Sequence, residues 1–364
     1  MKNLLKNDGA QSFIASIICI ILGLFVGFIV LLFINPSGAF TAIITVIKNF
    51  LYYPSGAAKM KYFGNTLVKT APLLMCSLSI LFAYKVGLFN IGASGQYTAG
   101  TCVALLFALK FGWGWLPCMI LAVLAGVIMG TIVGLLRSKF NVNEVISGIM
   151  LNWIMLYLCN MILTSVKEST SPYTYNLRTE NPKAIIPSLG LDKLFADNMY
   201  VSIAIPLSII FAILVYVVLE KTTLGYELKA SGFNKHAAKY AGMNGKRNII
   251  LTLAIAGGLS GMGAALFFLT GFEQWQCTAS SVPAMGFNGI AAAFLGGLNP
   301  IGAIFSSFFI QHITNGGAYV DKTMYCAQIS DLISAIIIYL CGFVLFLKMF
   351  MAKLVAKKSK GGEA

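Results

Sequence analysis

Charged side chains are scarce in this chain of 364 residues, and acidic ones are scarcest. Only 10% of the residues are charged, with 12 Asp and Glu against 26 Lys and Arg, whereas 58% are hydrophobic. A soluble domain carries about 25% charged residues. This composition therefore excludes a protein whose surface lies mostly in water, and we expect the chain to place most of its surface in lipid.

Motifs for nucleotide hydrolysis and for metal chemistry are also missing. No Gly-Lys-Ser/Thr stands at the spacing of a P-loop, so the chain has no visible ATP-hydrolysing site of its own. The two histidines, His236 and His312, lie far apart, and the eight cysteines lack metal-ligand spacing. We predict that the chain is not an enzyme and holds no metal or cofactor. A partner would then supply the energy for active transport.

Long apolar runs are what the chain has instead. Residues 111–136, 199–219 and 248–272 contain no charge, and each run exceeds the roughly 20 residues that a helix needs to cross the bilayer. Helices satisfy every backbone amide internally, as lipid demands, whereas barrel strands alternate over about 10 residues. We predict an all-α, polytopic bundle in a single transmembrane domain, 1–364. The ten expected membrane segments are 12–34, 66–84, 90–109, 113–136, 144–166, 199–219, 248–271, 283–297, 299–316 and 328–347.

The basic surplus of +14 indicates how the chain is oriented, and it does not call for nucleic acid as a partner. Loops rich in Lys and Arg face the cytoplasm. The segment 220–247 has six basic and two acidic residues, whereas 167–198 has four of each. We predict a cytoplasmic 220–247, an outer 167–198 and two cytoplasmic termini in a bacterial cell membrane. The segment 35–65 is expected outside, although it contains three lysines.

Two stretches carry Gly, Asn and Pro at predicted membrane depth. They read GLFNIGASGQ at 87–96 and SSVPAMGFNGIAAAFLGGLNPIG at 280–302. Broken helices persist in lipid only where they line a cavity or pack into protein. Gly87–Gly92 also resembles Gly286–Ala291, and paired interruptions in two halves indicate an inverted repeat with a midplane site. Chance similarity of two short stretches is the alternative.

We name the range 220–247 the coupling segment, and we predict a short helix within it. Asn234 is a suitable N-cap, Ala237 and Ala238 offer a small-residue surface, and Gly242 is a suitable stop. Such a helix can dock closely into a groove on another protein. A solvated basic loop is the alternative that spacing leaves open.

The coupling segment resembles that of bacterial ABC-importer permeases of the branched-chain amino acid and simple-sugar type. Their pattern is Gly-x-x-x-Arg-Ala-x-Gly-x-Asn-x-x-Ala-Ala-x-x-x-Gly, and only the Arg is altered here. The matching positions are Gly225, Lys229, Ala230, Gly232, Asn234, Ala237, Ala238 and Gly242. GLFNIGASGQ, NEVISGIMLNW (143–153) and GFNGIAAAFLGGLNPIG (286–302) extend the resemblance, which is greatest to the nucleoside-importing branch. Ser94 stands where Glu is usual, and Asn288 where Asp is frequent.

The resemblance implies a permease that works with other subunits. These are cytoplasmic ABC ATPase subunits, a second permease subunit and an extracellular substrate-binding lipoprotein. The surrounding membrane lipid and a small neutral solute complete the expected partners. ATP binding would move the coupling helix near 233–242, which would switch the broken helices between outward and inward access.

The candidate substrate path consists of uncharged polar and aromatic side chains. Neutral amides and hydroxyls suit an uncharged solute, and aromatic rings can stack on a nucleobase. The path residues are Phe89, Asn90, Ser94, Gln96, Asn152, Trp153, Phe287 and Asn288. The alternative is structural: the amides cap interrupted helices, and the aromatics line the core or the membrane interface.

Three other functions remain open. A permease for ribose-like sugars or for branched-chain amino acids is the nearest alternative to nucleoside import. An ion-coupled carrier acting alone would need no ATPase, and an intramembrane enzyme would need clustered catalytic groups.

Overall fold

The computed structural model describes residues 8–325 and isolated positions up to 349. Segment 328–347 therefore lies outside the continuously described part of the chain. Within that part the regular structure is helical, apart from isolated β-bridges that join 167 to 174 and 173 to 276. The all-α prediction is confirmed.

The α-helices vary from single turns to spans of 30 residues. In chain order they are α1 (Asp8–Ile34), α2 (Ala39–Lys48), α3 (Gly56–Lys85), α4 (Ala93–Leu109), α5 (Trp115–Phe140), α6 (Glu144–Leu163), α7 (Leu177–Glu180), α8 (Leu191–Leu194), α9 (Ala204–Lys221), α10 (Thr223–Phe233), α11 (Lys235–Tyr240), α12 (Gly245–Phe268), α13 (Ala284–Leu295) and α14 (Pro300–Gly317).

Helix length and composition agree with a polytopic membrane protein. Among the described residues, α1, α3, α5, α6, α9 and α12 are long and apolar enough to cross a bilayer. Helices α4, α13 and α14 match three further predicted segments. The segment 35–65, which was expected outside, contains α2 and the start of α3. Apolar residues repeat at helical spacing in 39–48, which explains the extra helix.

The chain divides into two compact units, and the larger is Met60–Ile290. Its centre is a glycine-mediated contact between α5 and α12. A Cβ on Gly126 would overlap the Gly257 carbonyl, and a Cβ on Gly130 would overlap the Leu253 carbonyl. Small residues at a spacing of four let helix backbones touch. Gly100 of α4 also meets Gly261 of α12 in the same way, so α4, α5 and α12 form a tightly packed scaffold.

The smaller unit comprises the described residues of Met1–Lys59 and Ala291–Ala364. Helices α2 and α14 pack within it, and a Cβ on Gly316 would overlap the Val46 carbonyl. Beside this contact, Asn49 Nδ2 lies 3.2 Å from His312 Nδ1, and His312 Nε2 lies 2.8 Å from the Ile47 carbonyl oxygen. His312 thus joins helices within the unit.

Candidate functional site

The helical structure is interrupted between α3 and α4, at 86–92. We name this interruption the break, and the candidate site lies around it. Gly87 has φ of +74°, a left-handed conformation that glycine adopts at little cost. Its N–H donates to the Tyr84 carbonyl at 3.0 Å, and the Leu88 N–H donates to the Ala83 carbonyl at 3.0 Å. These two bonds form a Schellman motif. The break is therefore a defined turn that supplies its own backbone partners.

The second interrupted stretch breaks in the same manner but at a different place. The N–H groups of Gly297 and Leu298 donate to the carbonyls of Phe294 and Ala293, both at 2.9 Å. Gly286–Ala291 lies inside α13, whereas Gly87–Gly92 is a turn. The two similar sequences thus have different local structures, and the break lies at 296–299. The inverted repeat stays a prediction.

A reciprocal pair of amides occupies the break. Asn90 Nδ2 donates to Gln96 Oε1 at 2.8 Å, and Gln96 Nε2 donates to Asn90 Oδ1 at 3.0 Å. Asn90 Nδ2 also donates to Ser79 Oγ of α3 at 2.9 Å. Asn90 and Gln96 are 2% and 1% exposed. A polar group buried without a partner costs about 1–3 kcal/mol, so these bonds satisfy groups that would otherwise oppose folding.

Asn152 clamps α6 to the start of α4. Its Oδ1 accepts from the Gly95 N–H at 2.7 Å, and its Nδ2 donates to the Ile91 carbonyl at 3.0 Å. Asn152 is buried on α6. One amide therefore satisfies two backbone groups that the interruption leaves without helical partners, as the structural alternative predicted.

Ser94 connects α4 to the segment before α13. Its hydroxyl donates to the Pro283 carbonyl at 3.1 Å, and a Cβ on Gly286 would overlap the Ser94 side chain. Together Asn90, Ser94, Gln96 and Asn152 form a buried, neutral network, which we name the amide cluster. In the described conformation its hydrogen-bonding groups face one another and the backbone.

The side chains of the remaining four path residues form no hydrogen bond with the amide cluster within the residues that the structure describes. Trp153 is 42% exposed and stacks on Tyr157 with ring centroids 6.3 Å apart, while Phe287 is 39% exposed. Phe89 is half-buried and makes no ring contact with either residue in the described part of the chain. Asn288 is half-buried and forms no hydrogen bond among the described residues. The structure thus groups four of the eight predicted residues.

The motif residues of α10 pack against the membrane helices. Gly225 is buried, and a Cβ there would overlap the Val218 carbonyl. Lys229 Nζ lies 2.9 Å from Glu220 Oε2, and Ala230 accepts the Asn234 N–H through its carbonyl at 3.1 Å. Both lysine and arginine can make such a pair, although lysine lacks the bidentate geometry of arginine.

Helix α11 begins and ends where the sequence predicted. Asn234 Oδ1 accepts from the N–H groups of His236 and Ala237, both at 3.0 Å, which satisfies two unpaired donors of the first turn. Gly242 has φ of +79° beyond the last turn. Ala238 is buried, whereas Ala237 is exposed beside α11's own Tyr240, which is 94% exposed. An exposed apolar surface of this kind is typical of a binding surface.

The coupling segment directly contacts the break. A Cβ on Gly232 would overlap the Val86 carbonyl and lie 3.0 Å from the Gly87 nitrogen. In addition, buried Asn248 of α12 donates from Nδ2 to Ser231 Oγ at 2.7 Å. Sequence reasoning missed Asn248, Ser231 and Ser79, because isolated small polar residues carry no spacing signal. The coupling segment and the break, which were separate motifs in the sequence analysis, are therefore in direct contact in the structure.

The segment 167–198 is packed onto its own unit through polar and ring contacts. Arg178 donates to the Met199 carbonyl at 2.7 Å and to the Thr270 carbonyl, and its guanidinium lies 5.0 Å from the Tyr200 ring. Burial lowers the pKa of Arg178, and the nearby Tyr200 partly opposes this change. Trp275 donates from Nε1 to Asn160 Oδ1 at 2.9 Å. These contacts order the connections that precede α9 and follow α12.

Comparison with known proteins identifies the family. Residues 62–342 match the model for the branched-chain amino acid transport system / permease component family. The chain is 30% identical to the nucleoside ABC transporter permease protein NupB of Lactococcus lactis subsp. cremoris, over 98% of both chains. It is also 30% identical to the guanosine ABC transporter permease protein NupP of Bacillus subtilis, over 94% of this chain and 96% of that protein.

Two further comparisons complete the result. The chain is 30% identical to the glucose ABC transporter permease protein TsgB13 of Haloferax volcanii, over 76% of this chain and 75% of that one. No solved structure matches the chain. The long match to the family model and the apolar helices make this a multi-pass protein of the cell membrane. The chain belongs to the branched-chain amino acid transport system permease family.

Proposed function

We propose that the chain is the membrane permease subunit of an ATP-driven ABC importer for nucleosides. One observation carries the proposal: Gly232 of the coupling segment packs on Val86 and Gly87, the first residues of the break. A cytoplasmic motor that moves α10 would therefore move the turn that holds the amide cluster. The similarity to the nucleoside permease NupB and the guanosine permease NupP supports nucleosides as the cargo.

The proposed partners follow from this division of labour. The exposed residues of α11, Ala237 and Tyr240, would dock on a cytoplasmic ABC ATPase subunit. A second permease subunit, identical or different, would complete the pathway, and an external lipoprotein would deliver the solute. In this orientation 220–247 and both termini face the cytoplasm, and 167–198 faces outward. Coupling of this kind requires that ATP and solute each favour one of two conformations.

The amide cluster is proposed to bind solute when the pathway opens. Asn90, Ser94, Gln96 and Asn152 carry donors and acceptors without formal charge, which suits the hydroxyls and ring nitrogens of a neutral nucleoside. In the described conformation these groups bond to one another or to the backbone. A solute would replace those bonds, so that opening leaves few buried polar groups unpaired. Phe89, Trp153, Phe287 and Asn288 are proposed to line the same pathway.

Uptake of labelled solutes tests the cargo. Cells that contain the chain and its partner subunits should accumulate labelled guanosine or uridine faster than cells that lack only this chain. Excess unlabelled ribose or leucine should not compete. If ribose enters and the nucleosides do not, the sugar alternative suggested by TsgB13 replaces the nucleoside proposal.

Purification of the complex tests the motor. Ala237→Asp places a carboxylate on the proposed docking surface and should reduce the amount of ATPase that copurifies with the permease. Gly245→Asp is the matched control, because nothing lies within 4 Å of a Cβ at that position and an acid suits the first turn of α12. Uptake driven by an ion gradient without an ATPase would instead identify a stand-alone carrier.

A further inference from the structure

Helices α4 and α6 lie side by side in a parallel register. A Cβ on Gly148 would lie 2.9 Å from the Gly92 nitrogen, and a Cβ on Gly95 would lie 2.8 Å from the Asn152 Cα. From the first contact to the second, the residue number rises in both helices, from 92 to 95 and from 148 to 152. The two helices therefore run parallel. Glycine at 92, 95 and 148 removes the side chains that would hold the backbones apart.

This register brings two cysteines together. Cys102 follows Gly95 by seven residues, and Cys159 follows Asn152 by seven residues. Seven residues are about two helical turns. Cys102 therefore lies on the same face of α4 as Gly95, and Cys159 lies on the same face of α6 as Asn152. Both side chains belong to one buried apolar cluster, and they are 2% and 0% exposed. The backbone contact at Gly95 leaves no side chain between the two helices there, which favours the Cα separation of roughly 4.4–6.8 Å that a disulfide requires.

We propose that Cys102 and Cys159 form a reversible disulfide that cross-links α4 to α6 and arrests transport. The proposal rests on the proposed function, since α4 carries Ser94 and Gln96 and α6 carries Asn152. A covalent bond two turns beyond the Gly95–Asn152 clamp would prevent the two helices from separating. The amide cluster could then no longer open to solute.

The apolar surroundings of the two thiols favour a lipid-soluble oxidant. They lie in an apolar cluster with Tyr97, Leu105 and Leu156, where water-soluble oxidants have poor access. A lipid-soluble quinone is the matching chemical class. Two S–H bonds break and one S–S bond forms, while two electrons and two protons pass to the quinone to give the hydroquinone. A small, uncharged dithiol that partitions into the membrane reverses the reaction by thiol–disulfide exchange, and its own two thiols end as a disulfide.

The first measurement detects the bond without relying on transport. Membranes that contain the full-length chain and its partner subunits are treated with decylubiquinone, denatured, alkylated with N-ethylmaleimide and digested. Mass spectrometry should find the peptide of Cys102 joined to that of Cys159, and dithiothreitol should remove the link. Cys118, which is buried on α5, should be alkylated equally before and after oxidation. Absence of the linked peptide, or a link to Cys277 instead, overturns the proposal.

The second measurement connects the bond to transport. Guanosine uptake should fall in proportion to the linked fraction and recover with dithiothreitol. Cys102→Ala and Cys159→Ala should each make uptake insensitive to decylubiquinone, whereas Cys118→Ala should leave the sensitivity intact. A linked protein with unchanged uptake, or uptake by Cys102→Ala or Cys159→Ala that stays as sensitive to decylubiquinone as that of the unaltered chain, overturns the regulatory role. If reduced protein takes up no nucleoside although the linked peptide forms, the proposed function fails and the thiol pair stands.

Discussion

Replacing Gly232 by alanine tests the connection between the coupling segment and the break. The added Cβ would overlap the Val86 carbonyl and lie 3.0 Å from the Gly87 nitrogen, whereas ordinary contact for a Cβ begins at 3.4 Å. The neighbouring atoms are backbone, so no side chain can rotate away. Helix α10 must therefore withdraw from the break by on the order of 1 Å.

The size of the effect follows from the cost of overpacking. Inserting a methyl group into a close-packed contact costs about 1–3 kcal/mol. If the contact forms in only one of the two transport conformations, that cost shifts their equilibrium by about 5- to 150-fold. ATP-dependent guanosine uptake should fall by a factor in this range. ATP hydrolysis should persist, because the proposed ATPase docking surface at Ala237 and Tyr240 is unchanged.

The assay measures uptake and ATP hydrolysis on the same reconstituted complex, with the amount of permease determined in each sample. Gly245→Ala is the matched control, because a Cβ there meets nothing within 4 Å and the residue belongs to the same segment. Its uptake should equal that of the unaltered chain. Normal uptake by Gly232→Ala would refute the inference that force passes through this contact.

Three further substitutions test other parts of the site. Gln96→Leu removes a donor from buried Asn90 and should lower stability by about 1–3 kcal/mol, measured as a lower unfolding temperature in detergent. Asn234→Ala removes the cap of α11, worth about 1 kcal/mol, and should speed amide hydrogen exchange in 235–240. Asn248→Leu removes the bond to Ser231 and should reduce uptake more than ATP hydrolysis.

Each of these results has a control of the same chemical kind. Gln276→Leu changes an exposed glutamine and should leave the unfolding temperature unaltered. Asn244→Ala removes the cap of α12 and should speed exchange there, not in 235–240. Ser231→Ala combined with Asn248→Leu should be no worse than Asn248→Leu alone. Independent, additive losses would show that the two side chains do not act together.

The helices and their interruptions could be predicted because both depend on local sequence. Runs without charge specify spans, and Gly87 can adopt the left-handed turn that ends α3. The similarity of 87–92 to 286–291 did not extend to local structure, because Phe-Asn-Gly is compatible with a helix when a stronger stop follows. Gly297, Asn299 and Pro300 provide that stop: a left-handed glycine, an N-cap and a proline at the first helical position.

The partners of the polar residues were much harder to predict. Composition indicated that Asn90, Gln96 and Asn152 lie at membrane depth, but spacing could not say what they bind. Asn152 is 57 residues from Gly95 along the chain, and their hydrogen bond depends on the packing of α4 against α6. The aromatic residues raised the same difficulty. Trp153 is exposed and the amide cluster is buried, and this difference cannot be deduced from the sequence.

The structural and functional interpretations of the amide cluster are compatible. A pathway that closes without water must satisfy its own polar lining, because unpaired amides in a low-dielectric interior are costly. Reciprocal bonding between Asn90 and Gln96 satisfies these groups, so the capping role is compatible with the proposed solute site. The scaffold of α4, α5 and α12 has glycine contacts that leave little room for rearrangement. Opening should therefore displace the elements around α4, chiefly α6 and the break, and Gly232 lies where a cytoplasmic movement would reach that break first.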